Sequence, residues 1–501
     1  MNKLIEKYDI ACPRYTSYPT VPYWENNLSA EEYKKQVKIT FDETNDSTGI
    51  SLYIHLPFCE SLCTYCGCNT RITVNHKVEV PYIDDVLSEW NLYKQVFQAP
   101  PKIKELHLGG GTPTFFSAEN LARLINGILE GTEKVEDPKF SFEAHPANTS
   151  DEHLQTLYNL GFRRLSLGIQ DFDVVVQEAI NRKQTVAEVE RVTKKAREIG
   201  YTSISYDVIY GLPFQSSHSV QETFRKVLHL HPDRISFYSY AHVPWKHKGQ
   251  RRYDESNLPS KEGKRSLYET GKAILSANGY LEIGMDHFAL PHDELFVAEK
   301  EGRLHRNFMG YTEGQNKLLI GLGVSSIGDT WTSFAQNIKE VETYQKTVRE
   351  GKLPIAHWHH LSEEDLMIRR HILNIMCKYC TEWLHEDLVQ MREDGIIKRL
   401  HELAHDELIE LDHYSLSVTK KGKIFLRNIC LALPVQLQLF ACLWTQRIRQ
   451  LQRGLRPRAD NQHEVIRRRK NEEESVEPVK YSTMPRNDGA KVFDIKIALK
   501  H

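Results

Sequence analysis

Cys59-Glu-Ser-Leu-Cys63-Thr-Tyr-Cys66-Gly-Cys68 gathers four of the chain's 9 cysteines into one short stretch. It follows Pro57 and the apolar run Ile50-Ser-Leu-Tyr-Ile-His-Leu56, which reads as a β-strand. The thiols are therefore expected on a loop at that strand's C-terminal end. Three chemistries compete for them. Structural disulfides are disfavoured: the N-terminus carries acids and no apolar signal region, and the other cysteines are scattered. Zinc stays open, although no second Cys or His pair stands nearby at ribbon or finger spacing. An iron–sulfur cluster fits better, because thiolates are its usual ligands and closely spaced cysteines can hold several irons of one cluster.

Outward from this loop, strand and helix patterns alternate from Ile50 to about Ser239. Strand-like runs are Ser51–Leu56, Lys104–Leu108, Lys139–Glu143, Arg164–Ile169, Ser203–Tyr210 and Arg234–Tyr240. Helical patterns lie between them. Tyr82–Phe97 is one, a second starts at Ser117 as N-cap, and a third starts at Thr185, where Glu188 completes a capping box. This alternation implies a parallel sheet with helical crossovers. The periodicity leaves open whether the units curl into a partial barrel or form a doubly wound sheet.

The polar residues that interrupt these patterns fall at the strands' C-terminal ends: the cysteine loop, Gly109-Gly-Gly-Thr-Pro-Thr114, Glu143, Gln170, Asp207 and Tyr240-Ala-His242. Each alone has a plainer reading as a helix cap or solvated loop. Parallel α/β folds build their sites at that face, so their coincidence implies one shared site. The glycine run lacks both the GxGxxG spacing and a P-loop lysine. It suits a backbone edge laid against the polar head of a small ligand.

The flanking regions are quieter. Residues 1–45 form an aromatic- and proline-rich arm centred on Arg14-Tyr-Thr-Ser-Tyr-Pro-Thr20, either surface packing or a flap over a site. Ser260–Asn278 reads as a long helix. His287 and His305 are proton-donor candidates, equally well explained as structural histidines. Gly321-Leu-Gly-Val-Ser-Ser-Ile-Gly328 could lie against a ligand. From His357 helices dominate (Ser362–Met376, Glu386–Arg392, Ile396–Leu403), and a short strand pair gives a winged-helix-like arrangement without a basic stripe for nucleic acid. Cys377 and Cys380 are read as structural in a helical context. From about Leu431 the chain turns apolar and then basic, an atypical tail expected to be poorly ordered. The whole chain is 40% hydrophobic and 26% charged, with net charge −2 and no apolar run of spanning length.

Cys59-x-x-x-Cys63-x-x-Cys66, with Tyr65 before the third cysteine, resembles the radical S-adenosylmethionine signature. Further blocks extend the likeness over about residues 8–430: Arg14-Tyr-Thr-Ser-Tyr-Pro, Tyr53-x-His-x-Pro-Phe-Cys59, the loop with Cys68, Gly109-Gly-Gly-Thr-Pro-Thr, Gly168-Ile-Gln-Asp-Phe, Asp207-x-Ile-Tyr-Gly-Leu-Pro213, Gly284-Met-Asp-His-Phe-Ala and Leu304-His-Arg-Asn-Phe-x-Gly-Tyr-Thr312. Together they resemble the oxygen-independent coproporphyrinogen III oxidases. The resemblance implies an α/β fold. A radical SAM-type (β/α)6 partial barrel is expected over 46–330, preceded by the arm 1–45, followed by a small helical domain at 331–430 and the tail 431–501.

The resemblance also implies one 4Fe–4S cluster on Cys59, Cys63 and Cys66, and two S-adenosylmethionine molecules per chain. Tyr53, Gly110, Glu143 and Ile327 are expected on the first, at the open iron. Tyr65, Gly111, Thr112, Gln170, Arg182, Asp207 and Ala241 are expected on the second. Cys68 is expected to serve turnover outside the cluster, and Arg14 and Arg306 to take substrate carboxylates. Tyr65 stands where phenylalanine is common, and His145 where many members have aspartate. The implied reaction uses a 5′-deoxyadenosyl radical to convert two propionates of coproporphyrinogen III to vinyl groups, giving protoporphyrinogen IX. It needs an electron donor and an acceptor that the sequence does not name. A cytoplasmic monomer with no nucleic-acid partner is expected. The alternatives are a haem-binding chaperone of the same superfamily, which typically lacks the fourth cysteine and the long arm, and a zinc-stabilised structural protein.

Overall fold

Ile50-Ser-Leu-Tyr-Ile-His-Leu56 alternates apolar and polar residues, and a strand sends alternate side chains to opposite faces. In the computed structural model, which describes residues 2–8, 10, 12–24, 30–393 and 395–433, Ile50, Leu52, Ile54 and Leu56 are fully buried. They share a core with Tyr82, Ile83, Val86 and Trp90 of helix Glu79–Lys94. Each such buried aliphatic contributes about 1.5–3 kcal/mol relative to exposure. The intervening Ser51, Tyr53 and His55 turn to the other side.

The same alternation recurs through six parallel strands: β1 (Ile50–Leu56), β2 (Ile103–Gly110), β3 (Lys139–Ala144), β4 (Phe162–Gln170), β5 (Ser203–Tyr210) and β6 (Arg234–Ser239). They pair in chain order. Helices Glu79–Lys94, Ala118–Leu129, Asp151–Asn159, Val186–Ile199 and Ser217–His229 cross between them. Ser117 caps the second of these, and the expected Thr185–Glu188 capping box opens the fourth. Register places Tyr53 beside His107 and His107 beside Ser141. It likewise pairs Glu143 with Ser166, Gly168 with Asp207, and Asp207 with Ser236. The inner face is thus a polar lattice and the outer face an apolar one, the arrangement of a barrel wrapped by helices on one side.

The barrel stays open. Strands β7 (Leu281–Ile283) and β8 (His287–Ala289) add antiparallel beyond β6. Beyond β1, β9 (Leu319–Leu322) adds parallel, and β10 (Ile327–Asp329), β11 (Ser333–Asn337) and β12 (Ile355–His360) follow antiparallel. The order is β12-β11-β10-β9-β1-β2-β3-β4-β5-β6-β8-β7 in one 12-stranded sheet. The division expected at residue 330 therefore falls inside this sheet, which runs on to His360. At the strands' N-terminal ends an ion cluster closes the base. Arg234 Nε meets Asp293 at 2.5 Å and also pairs with Glu313, Arg164 joins Glu313 and Glu294, and Ser203 Oγ donates to Asp293 at 2.9 Å.

Past β12, helices Glu363–Lys378, His385–Glu393 and Ile396–His405 accompany a three-stranded sheet ordered Cys380–Glu382, Ser415–Val418, Ile409–Leu411. Cys377 is buried in the last helical turn, whereas Cys380 is exposed on a strand, not in the expected helix, after left-handed Tyr379. The arm docks between barrel and C-terminal region. Trp24 stacks on Phe334 at 5.2 Å, Tyr8 Oη donates to Asp406 at 2.5 Å, and Asn428 Nδ2 donates to the Tyr8 carbonyl at 2.9 Å. The tail expected from residue 431 lies, after Leu433, outside the described residues. Among the described residues no helix is long and apolar enough to cross a membrane.

Candidate active site

The inner-face residues nearest the strands' C-terminal ends converge on one mouth. Strand β1 ends in Tyr53 and His55, whose Oη and Nδ1 lie 3.1 Å apart, while His55 Nε2 reaches the Asn69 carbonyl at 2.9 Å. Pro57 then releases the chain into the cysteine loop. Gly110, in the left-handed region at φ 111°, is wedged against the His55 ring, where an added Cβ would lie 2.5 Å from the imidazole. Any side chain there would push the glycine run off β1. The packing leaves the Gly110 N–H donating to Glu143 Oε2 at 3.2 Å.

Of the four sulfurs on the loop, three are each approached by a polar group. Thr112 Oγ1 is 3.3 Å from Cys59 Sγ, Arg182 Nη1 is 3.7 Å from Cys63 Sγ, and the Cys68 N–H donates to Cys66 Sγ at 3.4 Å. Burial pushes the Cys59 thiol up to about 11 and raises Cys63 as well. Ionisation of these thiols is therefore coupled to metal binding, as ligand chemistry requires. Three thiols ringed by donors, with a buried Arg182 whose Nε has no partner of its own, fit an anionic iron–sulfur cluster.

The carboxylates are differently tuned. Burial works to raise Glu143, but His107 (Nε2 to Oε1 3.5 Å) and the Gly110 N–H outweigh it and hold the group below its ordinary range. Asp207, bonded by Ser166 at 3.2 Å, is pushed up to about 6 by burial, with the Glu143 charge adding to it. Burial, reinforced by Arg182, lowers His145 to about 3, so its imidazole is neutral; Nδ1 accepts the Ala147 N–H at 3.2 Å. His145 thus braces the turn after β3.

The remaining candidates lie around this mouth. Gln170 takes φ 62° at the end of β4, and Arg182 Nη2 donates to the neighbouring Gly168 carbonyl at 2.6 Å. Tyr65 and Ala241 are joined by Gln250, whose Nε2 donates to their carbonyls at 3.1 and 3.3 Å. Gly111 runs along β1, its N–H donating to the Leu56 carbonyl at 2.8 Å. Ile327 lines a cleft with Tyr53, His55, Asn69, Ser325 and Ser326. Cys68 is exposed beside the cluster loop.

Arg14 and Arg306 meet at the far side. Arg306 Nη2 donates to the Arg14 carbonyl at 3.3 Å, and Arg14 lies over the Tyr238 ring at 5.1 Å and 3.4 Å from Asp286. Arg306 is 5% exposed, yet its Nε and Nη1 have no oxygen partner. Tyr238 is the inner residue at the end of β6, so the arginine pair adjoins the strand-end carboxylates. His287, lowered to about 3 by burial, is a neutral neighbour of Tyr238 at 3.3 Å. His305 is similarly neutral, which leaves neither histidine a ready proton donor. Sequence reasoning passed over His107, Asn69 and Gln250. His107 had a usable signal, since strand alternation puts it on the same inner face as Glu143; Gln250 lies in an irregular segment and had none.

A polar inner face, a cysteine loop after the first strand and a glycine edge after the second define a radical SAM enzyme, and the Radical SAM superfamily model matches residues 53–227. The chain is 36% identical over 439 residues to the oxygen-independent coproporphyrinogen III oxidase of Pseudomonas aeruginosa, spanning 85% of this chain and 94% of that one. It is also 36% identical to the Escherichia coli protein of that name, over 87% of this chain and 95% of the relative. The solved structure of the Escherichia coli coproporphyrinogen III oxidase, described as a radical SAM enzyme, superposes with TM-score 0.78 at 34% identity, covering 85% of this chain and 99% of that one. The chain belongs to the oxygen-independent coproporphyrinogen III oxidase family, whose class uses a 4Fe–4S cluster and S-adenosylmethionine.

Proposed function

We propose that this chain catalyses the oxygen-independent oxidative decarboxylation of two propionates of coproporphyrinogen III to vinyl groups, yielding protoporphyrinogen IX. The carrying observation is the 36% identity to named relatives over 94% and 95% of their length. When bound, the cluster and S-adenosylmethionine supply reductive cleavage of a sulfonium and hydrogen abstraction from carbon.

Cys59, Cys63 and Cys66 hold the cluster, with Arg182 offsetting charge at Cys63. Glu143, kept ionised by His107 and Gly110, receives the cationic amino group of the first S-adenosylmethionine alongside Tyr53, Gly110 and Ile327. Tyr65, Gly111, Thr112, Gln170, Arg182, Asp207 and Ala241 line the place of a second. Arg306, whose unpartnered N–H groups are buried, and Arg14 take substrate carboxylates, because a guanidinium fork matches a carboxylate bidentately. The arm carrying Arg14 excludes water over the mouth. Cys68 serves turnover from outside the cluster. An electron donor and an acceptor complete the reaction. One chain carries every candidate residue, so a monomer suffices, and a reducing cytoplasm suits its thiols.

The test is anaerobic incubation of cluster-loaded protein with reductant, S-adenosylmethionine and coproporphyrinogen III, followed by mass spectrometry. Successive loss of two carboxyl groups is expected. Absence of decarboxylation with stoichiometric haem binding would refute the proposal in favour of a carrier.

A further inference from the structure

Glu89 lies on the outer side of β1, away from the mouth, on helix Glu79–Lys94. It is 0% exposed and has no basic partner among the described residues; three donors from elsewhere in the chain converge on it. Gly323 N–H donates at 2.8 Å, Tyr344 Oη at 2.7 Å and Asn337 Nδ2 at 2.6 Å. Asn337 Nδ2 also reaches the Gly323 carbonyl at 2.9 Å and Ser326 Oγ at 3.0 Å. Two turns earlier on the helix, Tyr82 Oη donates to the His55 carbonyl at 2.8 Å and accepts the Val324 N–H at 3.0 Å. Gly323, at φ 87°, passes so close to β1 that an added Cβ would lie 2.6 Å from the His55 carbonyl oxygen. Both clamps act on the loop between β9 and β10, whose Ser325, Ser326 and Ile327 form a wall of the cleft shared with Tyr53 and His55.

A buried acid without a cation is costly to retain, so its retention calls for a reason beyond packing. We propose that Glu89 is a positioning residue: it fixes the loop 323–327 against the end of β1 and so sets the cleft wall that receives S-adenosylmethionine. This rests on the reading of Ile327 as a cofactor contact. All three of its partners are donors, so a glutamine at this position necessarily aims an N–H at one of them. Asp85 is a built-in control. It sits on the same helix, is 3% exposed, and bonds Gln345 at 2.7 Å and Arg349 at 2.8 Å, touching no part of the loop.

The experiment compares Glu89→Gln, Tyr344→Phe and Asp85→Asn in the full chain with its cluster. Two quantities are read: amide exchange at Gly323 and Val324, and the dissociation constant for S-adenosylmethionine. Glu89→Gln is expected to raise exchange at both amides and weaken cofactor binding about tenfold, the effect of losing one buried hydrogen bond and setting a donor against a donor. Tyr344→Phe is expected to do the same more weakly, and serves alone if Glu89→Gln does not fold. Asp85→Asn is expected to lower the urea midpoint without either change. Unaltered Gly323 exchange in Tyr344→Phe, or equal loss of affinity in Asp85→Asn, overturns the proposal. A native chain that binds no S-adenosylmethionine sinks the proposed function instead, because loop exchange is read without the cofactor.

Discussion

Replacing Glu313 by glutamine tests whether the two ends of the barrel are separable. Glu313 lies at the base, with a side chain only 9% exposed and paired to Arg164 and Arg234. Burial works to raise its pKa, but the two guanidinium groups prevail and lower it from 4.5 to about 2. A group depressed on folding stabilises the native state above its unfolded pKa, and the benefit fades as pH falls through the folded value. At about 1.4 kcal/mol per pKa unit the shift is worth about 3 kcal/mol near neutrality. That agrees with the roughly 3–5 kcal/mol cost of stripping one partner from a buried pair. Urea unfolding of Glu313→Gln should therefore show a loss of about 3 kcal/mol at pH 7, shrinking between about pH 5 and pH 2 as the wild-type carboxylate protonates. Decarboxylation at 25 °C should be unchanged, because base residues of such barrels set stability and mouth residues set chemistry. A stability difference that does not vary with pH, or a kcat that falls with the stability, would refute the reasoning.

Three further outcomes are expected. Arg306→Met should raise KM for coproporphyrinogen III by roughly tenfold or more while S-adenosylmethionine cleavage without substrate persists, since a charge-assisted carboxylate contact is lost together with the bond to the Arg14 carbonyl, both away from the cysteine loop. His107→Phe removes the largest of the influences that lower Glu143, so its pKa rises; titrating S-adenosylmethionine affinity against pH should show binding lost at a higher pH than in the wild type, and a superimposable profile would count against the role of His107. Cys68→Ser should keep the cluster's absorption spectrum and cofactor affinity but lose vinyl product, whereas Cys59→Ser should lose the spectrum itself.

Much of the architecture is written locally. All six strands and the capped helix starts at Ser117 and Thr185 are visible because alternation and side-chain caps are short-range effects. The choice between barrel and doubly wound sheet was left open by the periodicity and becomes visible once the strands are paired. Ser51, Tyr53, Glu105, His107, Ser141, Glu143, Ser166, Asp207 and Ser236 put polar groups on one face of every strand, and a sheet covered by helices on both faces is apolar on both. Glu143, Gln170 and Asp207 stood out because acids and amides at strand ends break an apolar pattern. Their supports were less visible. His107 and Ser166 look like ordinary strand polarity until register sets them beside a carboxylate, and Glu89 looks like a solvated helix residue until helix Val341–Arg349 and the loop after β9 close over it. The continuation of the sheet to His360 depends on pairings between short strands such as Ile327–Asp329, whose few residues carry almost no periodic signal.

The docking of the arm has a consequence for the order in which the protein is made. Lys7 and Tyr8 are tied to Asp406, the Tyr8 carbonyl to Asn428, and the Cys12 carbonyl to Arg427 at 3.4 Å. Residues 7–12 thus leave the ribosome some four hundred residues before these partners, while domains fold from the N-terminal side as they appear. Until those partners emerge, residues 7–12 lack the contacts that fasten them, whereas Trp24 meets its partner Phe334 earlier. Fastening of residues 7–12 is therefore a late step of folding, complete only once the region around Asp406 and Asn428 has formed.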